Sequence, residues 1–199
     1  MTMTDSSFSD ADIRPALRSL LLSQHGDEPD TILVEELGFC RGRARIDLAV
    51  VNGQLHGYEI KSDRDSLRRL SSQIDLYGKV LDLATLVVGE RHLREAAEML
   101  PAWWSILRVD TSSTGPRFRT LRRGRENPDQ DPRSLVELIW LDEAVALLEQ
   151  RDAARGVRGK PRRVVWDRLC EHFALEEIAE TVRCRLKARV APEAPVRLS

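Results

Sequence analysis

The chain has 199 residues, enough for one domain with a small appendage, and its 42% hydrophobic content is sufficient for a real core. Its 31 basic and 32 acidic residues nearly cancel, leaving a net charge of -1. Bulk electrostatics therefore exclude a general polyanion binder, and any nucleic-acid contact must come from local basic patches. Three scattered cysteines, Cys40, Cys170 and Cys184, argue against a disulfide framework and for a reducing compartment. No apolar run approaches the about 18 residues that suggest a membrane span. The polar stretch Met1 to Asp10 does not read as a signal peptide, so a cytoplasmic location is expected.

In chain order, residues 1–9 read as disordered. Asp10 to Gln24 reads as a helix capped by Asp10, with Ile13, Leu17, Leu20 and Leu21 three and four apart. Thr31 to Leu37 and Arg45 to Val51 read as strands, and Leu55 to Lys61 as a strand returning after Asn52-Gly53. Leu67, Leu70, Ile74, Tyr77 and Leu81 mark one face of a helix over Asp65 to Asp82. Ala84 to Val88 is apolar throughout, as in a strand buried on both faces. A helix from His92 to Leu100 ends at Pro101, and strands are expected at Trp103 to Val109 and, on an edge, Phe118 to Arg122. Trp103 and Trp104 can either stack on bases or pack against the sheet. A polar stretch with two prolines, Glu126 to Arg133, reads as a linker. Helices are expected over Ser134 to Gln150, Arg163 to His172 and Leu175 to Arg189, with a frayed tail after Pro192. The last two helices could form a helix-turn-helix reader, a helical cap or a dimer surface. The fold class is α/β, with one domain over residues 10–125 and a helical region over 134–190.

The hairpin carries the chemistry. Glu59 and Lys61 are two apart and share a strand face. A two-residue turn would put Asp47 opposite Tyr58, on the wrong side; a three-residue loop, Asn52 to Gln54, puts Val51 opposite Leu55 and Asp47 opposite Glu59. The hydrophobic pattern favours the longer loop, because it gathers Ile46, Leu48, Val50, Tyr58 and Ile60 on the other face. Facing carboxylates about 5 Å apart suit a divalent cation, and all-oxygen ligands favour Mg²⁺ or Mn²⁺. Lys61 stands where it can orient a water or stabilise developing charge. Only four of the basic residues are lysines, which favours a specific role for this one.

Asp47 with Glu59-Ile60-Lys61 resembles the D-x(n)-(D/E)-x-K signature of the PD-(D/E)XK nuclease superfamily, with Ile46 in place of the proline of the P-D pair. Gln73 and Tyr77 on the following helix resemble the Q-x-x-x-Y element of its RecB-like subset. Gly57 to Asp63, followed by Asp65-Ser66-Leu67 and Arg69-Leu70, is similar to a group of small bacterial proteins of the superfamily. The resemblance covers about residues 30–95. It implies a restriction-endonuclease-like core of order α-β-β-β-α-β, a central mixed sheet flanked by helices. It also implies a Mg²⁺- or Mn²⁺-dependent nuclease acting on DNA, with RNA as an alternative substrate, in bacterial DNA processing, repair or defence. Asp47 and Glu59 would be metal ligands, Lys61 the catalytic lysine and Gln73 a substrate-orienting residue. The extra upstream acid would be Glu35 or Glu36, with Glu35 preferred. Tyr77 is as well explained by core packing as by a site role. Arg64, Arg68 and Arg69 would rim the site and contact phosphates, or form a solvated helix face. A homodimer through a strand edge or the C-terminal helices is open. The competing reading is a non-catalytic module that binds nucleic acid or protein on the same fold.

Overall fold

The computed structural model describes residues 8–190. Of the disorder expected over residues 1–9, residues 1–7 lie outside them, as does the frayed tail past Pro192, while Ser9 is described and caps the first helix. Six strands form one mixed sheet in the order β1-β2-β3-β4-β5-β6. They are β1 (Ile32–Phe39), β2 (Ala44–Val51), β3 (Leu55–Lys61), β4 (Leu83–Gly89), β5 (Ser105–Ser112) and β6 (Gly115–Arg122). Strands β3, β4 and β5 are mutually parallel and the remaining neighbours antiparallel. The parallel steps need crossovers, supplied by α2 (Leu70–Tyr77) and α3 (Leu93–Met99). Helix α1 (Asp10–His25) precedes the sheet, so the first six elements run α-β-β-β-α-β as expected from the sequence. Among the described residues no helix is long and apolar enough to cross a membrane.

Each sheet face is covered because strands β1 to β5 send apolar side chains both ways. On one face Leu48, Val50, Tyr58, Ile60 and Val87 meet Ile13, Leu17 and Leu21, the stripe of α1. On the other, Ala49, Val51, Leu55, Leu86 and Val88 meet Leu67, Leu70, Ile74 and Tyr77 of the α2 region. That second cluster continues without interruption into α4 (Pro132–Leu135), α5 (Leu141–Glu149), α6 (Arg162–His172) and α7 (Leu175–Val190). Val165, Leu169, Val182 and Leu186 of α6 and α7 are buried in it. Trp103 and Trp104 are buried here as well, with Trp104 stacked 6.1 Å from Tyr77, so they pack rather than present faces to bases.

Several local expectations are corrected. The amide and hydroxyl of Ser9 donate to Asp12 (2.9 and 2.6 Å), so the helix opens at Ser9 rather than at Asp10. Helix α2 stops at Tyr77, where Gly78 follows, although the apolar stripe runs on to a buried Leu81. Ser134 to Gln150 is broken at Ile139 and Trp140, whose extended backbones cannot continue a helix. The stretch read as a linker is a strap. Asn127 Nδ2 donates to the carbonyls of Gly78 and Leu81 (2.7 and 2.8 Å), and Gln130 Nε2 to Asp82 (3.0 Å). Buried Asp82 also accepts from the Leu55 amide (2.6 Å) and from Arg183 of α7 (3.0 Å), tying the helical region to the base of β3.

Candidate active site

The β2–β3 register is the one set by a three-residue loop: Val51 pairs with Leu55, Ala49 with Gly57 and Leu48 with Tyr58. Asn52 fixes it locally, its amide donating to the Gln54 carbonyl (3.1 Å) and its side chain accepting from the Gln54 amide (3.0 Å). The ladder ends at Leu48. One rung further, Asp47 Oδ2 accepts from the Ile60 amide (2.7 Å), so its carboxylate stands between the two strands as they part.

At this rung β1 and β2 also exchange faces. Ile46 and Leu37 lie in the cluster beneath α2, whereas Leu48 lies under α1. The expected grouping of Ile46 with Leu48 is thus overturned. The cause is a kink: Glu36, between the pairs Glu35–Leu48 and Leu37–Ile46, has φ of 55°. The same kink corrects the choice of upstream acid. Glu35 points to α1 and pairs with Arg18 (2.9 Å), away from the metal position assigned to it. Glu36 is the acid that turns to Asp47's side, where Arg14 holds it (2.6 Å).

Glu59 and Lys61 lie on the α2 side of β3, both buried. Lys61 Nζ donates to Glu59 Oε1 (2.5 Å). Gln73 Nε2 donates to the same oxygen (2.6 Å), and Tyr77 Oη donates to Glu59 Oε2 (2.6 Å). Gln73 and Tyr77, one helical turn apart, therefore meet one carboxylate. Burial pushes the Glu59 carboxyl above its usual range and nearby Asp47 adds to this, while Lys61 and Tyr77 pull the other way. Tyr77 is wholly buried, and its hydroxyl is raised by burial and by Glu59. It supports Glu59 from beneath and has no surface left for substrate, which corrects its assignment as a substrate contact.

These groups open into a cleft of about 650 Å³, lined among others by Asp10, Glu36, Asp47, Glu59, Lys61, Arg69 and Gln73. Of the three arginines expected at its rim, Arg69 lines it; Arg64 and Arg68 are exposed outside the lining. The sequence reading missed Arg14. Its guanidinium reaches Asp47 Oδ1 (2.7 Å), the Asp47 carbonyl (3.1 Å), Glu36 and Asp10. In the sequence Asp10 and Arg14 are an ordinary i,i+4 helix pair, with no local sign of a link to residue 47. Arg43 also lines the cleft and was missed, because the loop that carries it has no regular period; Arg45, on β2 two residues before Asp47, lines it too.

Among the described residues no group of three or more His, Cys, Asp or Glu side chains is gathered as for an all-protein metal cage. Two carboxylates with lone pairs to spare fit instead a Mg²⁺-like ion that keeps most of its waters. A buried acceptor without a donor, Gln73 Oε1, lies beside them and adds to that fit.

The sequence profile of the family described as Bacteriophage P4 protein cII matches residues 3–195. The chain belongs to that family. Protein cII of Enterobacteria phage P4 is 28% identical to it over 104 residues, which are 52% of this chain and 39% of the phage protein. The chain thus aligns with less than half the length of that cII relative. Among solved structures, a protein of unknown function from Silicibacter pomeroyi is similar to this cII-family chain, with a TM-score of 0.42 and 22% identity. The match covers 75% of this chain and 92% of the other. SfsA of Pyrococcus furiosus, in complex with Ca²⁺, gives a TM-score of 0.33 at 13% identity, over 59% of this chain and 65% of that one.

Proposed function

We propose that the chain is a metal-dependent nuclease of the PD-(D/E)XK type that hydrolyses phosphodiester bonds of DNA in the bacterial cytoplasm. The observation that carries the reading is the buried Glu59–Lys61 pair set next to Asp47 at the parting of β2 and β3. A buried ion pair contributes little net stability, since desolvation offsets its attraction, so its presence in a cleft favours a role in chemistry.

A Mg²⁺ or Mn²⁺ ion held by Asp47 and Glu59 would supply Lewis acidity to a phosphoryl oxygen and lower the pKa of a coordinated water. The protein's own groups do the rest. The Ile60 amide fixes the Asp47 carboxylate, and Tyr77 and Gln73 fix that of Glu59. Lys61, buried beside Glu59, is placed to orient the attacking water or to stabilise charge on the phosphate as the bond breaks. Among the described residues lining the cleft no side chain is arranged as a covalent nucleophile, which supports direct attack by water.

The test is incubation with plasmid and linear DNA plus Mg²⁺ or Mn²⁺, and with RNA in parallel. Cleavage should be lost in Lys61→Ala and in Asp47→Ala; cleavage that survives both belongs to another site or to a contaminant. One observation favours the second reading, a binding module without catalysis: Arg14 already neutralises Asp47. That module would retard DNA in a salt-sensitive way and cleave nothing.

A further inference from the structure

The charges lining the cleft divide into two groups. Five acids, Asp10, Glu36, Asp47, Glu59 and Asp65, face five bases, Arg14, Arg43, Arg45, Lys61 and Arg69. Three of the bases are committed to carboxylates: Arg14 to Asp10, Glu36 and Asp47, Arg45 to Glu36, and Lys61 to Glu59. The guanidinium groups of Arg43 and Arg69 have no hydrogen-bond or ion-pair partner among the described residues, and both side chains are exposed.

We infer that Arg43 and Arg69 are a two-point clamp for the phosphodiester backbone of the nucleic-acid strand. This rests on the function proposed above and deepens it. Both arginines come from anchored backbone. Arg43 follows a tight turn in which Cys40, Arg41 and Gly42 all have positive φ (50°, 58° and 78°), and its amide donates to the Cys40 carbonyl (3.2 Å). Arg41 pins that turn to the helical region, pairing with Glu137 (3.1 Å) and lying over the Trp166 ring. On the segment leading into α2, Arg69 ends a turn capped by Ser66, and Ser72 Oγ donates to its carbonyl (2.9 Å). Fixed backbones remove the cost of ordering the chain on binding, leaving only the two side chains to be ordered against phosphate oxygens. Without these two arginines the cleft sets five acids against three bases; the two arginines bring it to formal neutrality and an added divalent cation makes it positive, so together they supply the attraction for a polyanion.

The experiment is fluorescence anisotropy of labelled 20-nucleotide single-stranded DNA, duplex DNA and single-stranded RNA, in Ca²⁺ over a series of NaCl concentrations. Arg43→Ala and Arg69→Ala should each weaken binding about fivefold and reduce the log–log salt slope by about 0.7 to 0.9, with the double variant losing about twice that. Arg43→Glu should weaken binding further than Arg43→Ala, while Lys160→Ala, exposed and outside the cleft, should bind as wild type. The DNA and RNA arms identify which backbone is held. Wild-type affinity and slope in both arginine variants, or an equal loss in Lys160→Ala, overturns the clamp. Clamp-dependent binding without cleavage upholds the clamp and removes the enzyme; cleavage with binding indifferent to both arginines does the reverse.

Discussion

The two faces of β3 bury polar groups in opposite ways. Toward α1, Tyr58 and His56 stack 4.3 Å apart, with Tyr58 Oη 3.2 Å from His56 Nδ1 and His56 Nε2 2.8 Å from Thr85 Oγ1. A neutral ring satisfies this chain: Nδ1 accepts from Tyr58 and Nε2 donates to Thr85. Burial holds the imidazole down at about 4 and pushes the Tyr58 phenol up, so both groups are uncharged at neutral pH. Toward α2, the same strand buries Glu59 and Lys61, surrounds them with donors and leaves Gln73 Oε1 without one. A closed, neutral chain needs nothing from outside. Under the function proposed above, the charged cluster with a spare acceptor at the floor of the cleft is where a ligand would bind.

The widest separation between the faces should appear in activity. Lys61→Ala should cut DNA cleavage by about 10²- to 10⁴-fold, in the range for loss of a group that moves or stabilises a proton. His56→Gln, on the neutral face, should change cleavage less than about threefold, well below that range. Next comes packing between the faces. A Cβ on Gly57 would lie 2.5 Å from Leu81 Cδ1 and 3.1 Å from Ile46 Cγ1. Gly57→Ala should therefore destabilise the fold by about 1–3 kcal/mol in urea unfolding. A smaller effect concerns the proposed cation. With Asp47 released from Arg14, Arg14→Met should bind Mn²⁺ about tenfold more tightly by calorimetry, a change of about 1.4 kcal/mol. Weaker binding would instead make Arg14 the group that positions Asp47.

The smallest effect is a pH slope on the neutral face. His56 is neutral in the fold down to about 4 but titrates near 6.5 when unfolded. The unfolded chain binds more protons between these values, so stability should fall as pH drops from 6.5 toward 4. The slope is at most about 1.4 kcal/mol per pH unit, reduced by the ring's partial access to solvent. His56→Gln should flatten it; an unchanged slope would assign the acid sensitivity to other groups.

How far the sequence carries differs between these regions for physical reasons. Strand β3 and the Glu59–Lys61 face were legible because alternation is a local rule, and the loop length followed from the burial of Leu48, Val50, Tyr58 and Ile60 together. The Gln73–Tyr77 spacing placed both residues on one helix face, and both reach Glu59. What failed was tertiary. Alternation predicted that Glu35 reaches the site, but positive φ at Glu36 turns the strand over, and nothing in a glutamate at that position announces it. Arg14 meets Asp47 across 33 residues of chain, and no period links them. The strap from Asn127 to Asp131 looked like a linker because polar residues that satisfy buried carbonyls have the same composition as residues that face water.

The most direct measurement is an anomalous difference map from crystals of the protein soaked in Mn²⁺. The account predicts a peak between the carboxylates of Asp47 and Glu59, within coordination distance of both, with Arg14 moved off Asp47 Oδ1. A map with no peak there, and with Arg14 and Lys61 still bonded to the two carboxylates, would contradict it.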